Sequence, residues 1–270
     1  MKQPIIVAKN VHKKIDSISI LKDLSFQIDK GEKVAITGHN GSGKSSLLKL
    51  AAGIYGCDAG EWKVDTNSIA YVPEHFPEHI RFRLQEYLLL LGKMAGKEES
   101  DLKEKILAYA ERLELIPFLN QPLRKCSKGT KQKAGILQAL LVESELLLLD
   151  EPLSGLDETS QKELLTIFKE EKERRTILFT AHEQDTVELL ADRVIHLENG
   201  RILSDSMMRE KQKVFFVLAE IPPGWKDSKF DTCHQENNKI FCDVREDEKD
   251  KLLMNLLESG CSILEVKEKK

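Results

Sequence analysis

Gly38-His39-Asn40-Gly41-Ser42-Gly43-Lys44-Ser45 is the stretch that decides the fold. It fits the pattern G-x-x-x-x-G-K-[ST], and each residue type in it answers a chemical need. Glycines let backbone N–H groups turn inward and approach phosphate oxygens closely. A helix expected over Ser45 to Ala52 aims its N-terminus at the same anion. Lys44 is expected to reach the terminal phosphates of a nucleoside triphosphate, Ser46 to contact the nucleotide as well, and the Ser45 hydroxyl to bind Mg²⁺. A chance glycine-rich turn would lack the flanks. Here the β-branched run Val34 to Thr37 reads as a strand entering the loop, and a leucine-bearing helix leaves it.

Further along lies Leu146-Leu147-Leu148-Leu149-Asp150-Glu151. Four leucines bounded by charges read as a fully buried central strand that ends in two acids. Asp150 is placed to share the Mg²⁺ with Ser45. Glu151 is placed to act as general base for a water, or to orient it. Many strands end in solvated acids, so the pair gains meaning only downstream of the phosphate loop. Pro152 to Asp157 contains S-G-L-D, which alone is a bare turn. His182 follows the strand expected over Thr176 to Thr180; a lone histidine there is usually solvated, but this one ends a strand of the same sheet.

The remaining pattern alternates strand and helix. Ile5 to Lys9, Leu21 to Ile28, Ser68 to Val72, Val194 to Leu197 and Arg201 to Leu203 read as strands. Ser160 to Arg174 and Gln184 to Ala191 read as helices. Strands alternating with helices imply an α/β fold with a mostly parallel sheet covered on both faces and an antiparallel edge. A helical stretch over about 76–138 looks inserted. Residues 1–205 are therefore expected to form one domain, and 206–270 a small accessory unit. Its strands Val214 to Leu218, Lys239 to Val244 and Ser262 to Val266, with a helix over Asp247 to Glu258, suggest a β–α–β tail without attached chemistry.

Composition narrows the function classes. At 270 residues, 41% hydrophobic and 32% charged, the chain can bury a sizeable core. Only 6% of residues are aromatic and the net charge is −4, which argues against a nucleic-acid binder. Cys57, Cys126, Cys233, Cys242 and Cys261 form no C-x-x-C pair, so reduced thiols in the cytosol are expected, with no disulfide framework. Cys126 reads as a small apolar residue. No signal peptide or spanning segment is expected, so any action at a membrane runs through a partner.

Cys126-Ser127-Lys128-Gly129-Thr130, the helix after it, the acidic strand and S-G-L-D follow the phosphate loop in an order that resembles the nucleotide-binding subunit of the ABC (ATP-binding cassette) transporter family. The likeness runs over about residues 5–204. It implies a phosphate-loop cassette with ATP and Mg²⁺ as cofactors, and a head-to-tail dimer, as homodimer or with a second cassette subunit. Gly38, His39, Asn40, Gly41, Ser42, Gly43 and Lys44 would cradle one ATP. Ser127 and Gly129 of the opposite subunit would cap it, through a helix N-terminus. Asp157 would cross the interface and His182 would be the switch histidine. The partner would be a transmembrane permease subunit, and the location the cytoplasmic face of the cell membrane.

The sequence departs from the family pattern in three places. Cys126, Lys128 and Thr130 stand where leucine, glycine and glutamine are usual. Glu74 replaces the common glutamine after a proline, and still offers an oxygen to Mg²⁺ or water. Ile15 falls where an aromatic usually stacks on adenine, leaving apolar contact only, with His12 as an alternative. Glu74 and the S-K-G segment are similar to bacterial exporter-type subfamilies. Two other readings stay open: a soluble ABC ATPase such as a cofactor-assembly subunit, and a weakly hydrolysing regulatory module.

Overall fold

The computed structural model describes residues 3–171, 175–208, 214–223, 225 and 233–269. Two compact units divide the chain after Met208. The first is built on a six-stranded sheet of β3 (Lys33–Thr37), β5 (Ile69–Val72), β6 (Leu146–Leu149), β7 (Thr176–Thr180), β8 (Arg193–Glu198) and β9 (Arg201–Met207). Its order is β5-β6-β7-β3-β8-β9, parallel throughout except for the β8–β9 hairpin.

The leucine run explains why this sheet is covered on both faces. Successive strand residues point to opposite faces. Leu147 and Leu149 join one buried cluster with the helices α2 (Leu84–Met94), α3 (Glu99–Arg112), α4 (Lys128–Leu141) and α5 (Glu158–Glu170). Leu146 and Leu148 join a second, with α1 (Lys44–Ala51) and the antiparallel strands β1 (Pro4–Ile15) and β2 (Ile18–Asp29). β1 pairs with β2 on one side and with β4 (Ala59–Val64) on the other, in a three-stranded sheet of order β2-β1-β4. The short helix α6 (Gln184–Leu190) follows β7. The expected end of α5 near Arg174 lies outside the described residues.

β1 and β2 are longer than their periodicity suggested. Asn10 has a left-handed backbone (φ 50°) and the pairing shifts register between Ala8 and Val11, which breaks the alternation that period-two reading relies on. Asp16 and Ser17, at φ 47° and 67°, close the hairpin between them. β4 was not anticipated, because only Trp62 and Val64 of Ala-Gly-Glu-Trp-Lys-Val contribute to the core.

The second unit contains the three strands and the helix expected of the tail and adds one further strand. It is a four-stranded antiparallel sheet, ordered β11-β12-β10-β13, from β10 (Val214–Glu220), β11 (Cys233–Glu236), β12 (Lys239–Arg245) and β13 (Ser262–Glu268). Helix α7 (Glu246–Glu258) lays Leu252 and Leu256 on Val217, Ala219, Ile240 and Cys242. The expectation of reduced thiols is corrected for one pair. Cys233 and Cys242 stand directly opposite each other in the β11–β12 register and are joined as a disulfide. A separation of nine residues is invisible to C-x-x-C patterns, yet a hairpin makes the two neighbours. Cys57, Cys126 and Cys261 are free, the last two buried.

Candidate functional site

The parallel strands β3, β6 and β7 bring three loops to one edge of the sheet, where ligands bind in open α/β folds. The loop after β3 is the glycine-rich one. Gly38 has φ 141°, and a Cβ there would lie 2.1 Å from the carbonyl oxygen of Leu197. Gly43, at φ 108°, would meet a Leu21 methyl at 2.8 Å. Only glycine fits either position. Helix α1 then starts at Lys44 with no acid in its first turn, leaving its N-terminal N–H groups to an anion.

The Lys44 ammonium folds back over the loop, donating to the carbonyls of Gly38 at 2.9 Å and His39 at 3.1 Å. Burial pushes its pKa below the ordinary value, against the pull of Glu151, Asp150 and Glu74. Among the described residues its hydrogen bonds go to these carbonyls, which phosphate oxygens could replace as stronger, charged acceptors. Ser42 Oγ is fully buried in the loop and makes no hydrogen bond.

Asp150, only 3% exposed, gathers hydroxyl donors at the end of β6. Ser45 Oγ donates to its Oδ1 at 3.1 Å and Thr180 Oγ1 to the same oxygen at 2.9 Å. Tyr71 OH approaches Oδ2 at 3.5 Å. Burial, then the Asp150 charge, pushes the Tyr71 phenol well up, so it stays a donor. Glu151 follows with a left-handed backbone, φ 47°, a conformation that costs a non-glycine residue about 1 kcal/mol or more. Its N–H donates to Thr180 Oγ1 at 2.7 Å. Its carboxylate Oε1 lies 2.6 Å from His182 Nε2.

These groups surround a cavity of about 530 Å³ lined by Ile20, Asn40, Gly41, Gly43, Lys44, Ser45, Ser46, Glu74, Glu151 and His182. A smaller one of about 170 Å³ shares Glu151 and His182 with it. Glu74 reaches the wall of the larger cavity, 3.5 Å from His75 Nδ1. The apolar wall is Ile20 and not Ile15. Ile15 pairs with Ile18 at the tip of the β1–β2 hairpin, so the tight turn at Asp16-Ser17 carries the later isoleucine to the loop. His12 instead pairs with Ala59 in the β1–β4 ladder.

Ser127, Gly129 and Asp157 stand apart from this cavity in the single chain. Ser127 caps α4, accepting from the Thr130 N–H at 3.1 Å. A Cβ on Gly129 would touch Leu156 at 3.4 Å, so the helix start lies against the S-G-L-D turn. Asp157 caps α5 through the Ser160 N–H and hydroxyl, 2.9 and 2.8 Å, and the backbone bond leads in holding its carboxyl below the usual range. Cys126 is buried, as a small apolar residue should be. Thr180 and Tyr71 escaped the sequence reading, since a strand's last threonine and a strand tyrosine carry no signal of a polar contact.

The donor set suits a magnesium nucleotide. Magnesium binds through one or two carboxylates plus substrate phosphates and waters, rather than in an all-protein cage. Asp150 and the Ser45 hydroxyl, 3.1 Å apart, are oxygen donors of the kind such a partial shell would use. Among the described residues no group of three His, Cys, Asp or Glu side chains could hold a metal unaided.

Comparison with known proteins agrees with this geometry. Residues 21–154 match the family model described as ABC transporter. The uncharacterized ABC transporter ATP-binding protein YxlF of Bacillus subtilis (strain 168) is 31% identical, over 77% of this chain and 75% of its own length. ABC transporter ATP-binding protein NatA of the same organism is 30% identical, over 69% of this chain and 81% of its own. A solved ATP-binding subunit of an ABC transporter superposes with a TM-score of 0.71 at 28% identity, covering 76% of this chain and 90% of that one. With that loop, those strand ends and these relatives, the chain belongs to the ATP-binding subunits of ABC transporters.

Proposed function

We propose that the chain hydrolyses Mg-ATP as one half of a head-to-tail dimer and thereby drives a separate transmembrane permease at the cytoplasmic face of the membrane. The observation that carries this is the continuous contact Ser45–Asp150–Thr180–Glu151–His182 on the rim of the cavity that Lys44 enters. The backbone from Gly38 to Gly43 and the first turn of α1, with Ser46, bind the phosphates. Lys44 leaves its two carbonyls for the terminal phosphates. Ser45 and Asp150, with Glu74 nearby, would hold Mg²⁺, which would supply charge neutralisation at the phosphates. Glu151 accepts a proton from the attacking water, and His182 holds its carboxylate in place. Ile20 gives the nucleotide an apolar contact.

Ser127 and Gly129 of a second copy cap the same nucleotide, and Asp157 steadies the turn that faces it. The second copy is an identical chain or another cassette subunit. Glu74 and the S-K-G segment favour export as the direction. For the permease, the helical segment offers exposed Phe82, Leu90 and Met94, the last two one turn apart on α2. Such a stripe fits an amphipathic helix of a partner. Coexpression with candidate membrane proteins tests this reading. The chain should copurify with one of them, and Leu90→Asp with Met94→Glu should abolish copurification while leaving nucleotide binding intact. ATPase activity that is fully independent of any membrane protein, in a chain found only in the cytosol, would sink it.

A further inference from the structure

We propose that Thr180 is a positioning residue that ties the backbone of Glu151 to the carboxylate of Asp150, so that the two acids hold their places as one unit. The inference rests on the reading of these acids given above. β6 and β7 are neighbouring parallel strands with Leu149 beside Phe179, so Asp150 and Thr180 are the next residues in register. Thr180 is wholly buried. Its hydroxyl has one proton to give and lone pairs to accept with. The Glu151 N–H occupies a lone pair at 2.7 Å, and the proton goes to Asp150 Oδ1 at 2.9 Å.

Both contacts answer a specific need. Glu151 sits beyond the last residue of β6 with a left-handed backbone, which persists only where the surroundings over-determine it. Its amide finds its acceptor in a side chain, not in the strand ladder. Asp150 is buried, and Thr180 is one of two hydroxyls holding its Oδ1, the other being Ser45. Removing the Thr180 hydroxyl orphans the Glu151 amide and frees its backbone. The carboxylate then loses its register with His182 Nε2, 2.6 Å away.

Thr180→Val keeps the shape and deletes the hydroxyl; Thr180→Ser keeps the hydroxyl. In the nucleotide-free full chain, hydrogen exchange at the Glu151 amide should quicken by about tenfold or more in Thr180→Val and stay within about threefold of wild type in Thr180→Ser. In the complex with its membrane partner, Thr180→Val should lower kcat by about tenfold or more with KM within about twofold, and Thr180→Ser should restore it. Wild-type exchange and kcat in Thr180→Val overturn the inference, as does a serine variant as impaired as the valine one. If Thr180→Val shows no melting transition, Thr180→Ala takes its place and is judged by the same outcomes. Glu151→Gln separates the two readings. If it leaves kcat unchanged, the hydrolytic role of Glu151 fails, while amide exchange still judges Thr180.

Discussion

The strand ends of the first unit and the small sheet of the second solve opposite problems. At the ends of β3, β6 and β7, polar groups are buried and the backbone leaves its ordinary basins at Gly38, Gly43 and Glu151. At Gly38 and Gly43 a side chain would clash with its neighbours, and at Glu151 the N–H is held by the Thr180 hydroxyl. In the second unit, Val217, Ala219, Ile240, Cys242 and Leu256 form an ordinary apolar core under one helix. Buried polar groups and constrained backbone gather at the strand ends around the cavity, while apolar packing dominates the core of the second unit. A chain with both kinds of region lets function and stability be perturbed separately.

The sharpest way to separate them is Lys44→Ala. Removing the ammonium that the loop holds should weaken ATP binding by about a hundredfold, about 3 kcal/mol, measured with a fluorescent nucleotide. Melting temperature should move much less than this, because the ammonium donates only to loop carbonyls among the described residues and its charge is partly desolvated. A matching change in the second unit should do the reverse. Leu256 is fully buried on the inner face of α7, so Leu256→Ala should cost about 3 kcal/mol in the unfolding of that unit and leave ATP affinity within about twofold. A large loss of affinity there would break the comparison.

Gly38→Ala belongs to both sides of it. The added Cβ meets the Leu197 carbonyl at 2.1 Å, and that backbone is part of β8. Loop and strand must move apart, which should cost about 2 kcal/mol of stability and weaken ATP binding together. The smallest effect concerns neither site nor core. Glu143, between α4 and β6, pairs with Lys105 and Lys97, whose hydrogen bonds hold its carboxyl down at about 2. A depressed carboxyl stabilises above its unfolded value and loses that contribution as pH falls through the folded one. The stability gap between wild type and Glu143→Gln should therefore close between about pH 4.5 and about pH 2, and amount to about 2 °C at neutral pH, since the pair is half exposed.

How far the sequence carries depends on which of these regimes a residue serves. Leu146 to Leu149 and Thr176 to Thr180 were legible to the residue, because uninterrupted apolar or β-branched runs between charges admit one reading. The loop at Gly38 to Ser45 was legible because backbone conformation restricts residue type. β4 and β11 were not, since their side chains are mostly exposed and carry no alternation. That Ile20 and not Ile15 lines the cavity was not legible either, because the hairpin at Asp16-Ser17 sets which isoleucine faces the loop. Thr180 and Tyr71 were hidden for a different reason. Their roles lie in hydroxyl contacts across strands, and a hydroxyl at a strand end looks the same in sequence whether it is bonded or solvated. The disulfide was hidden likewise, being set by the register of β11 on β12.

In the proposed function Glu151 acts on water beside a nucleotide held by Lys44, Ser45 and Asp150. Single-turnover phosphate release from the assembled complex, in wild type and Glu151→Gln, tests it most directly. Glu151→Gln should bind ATP as tightly as wild type and release phosphate about a hundredfold more slowly. Equal rates in the two would contradict the account.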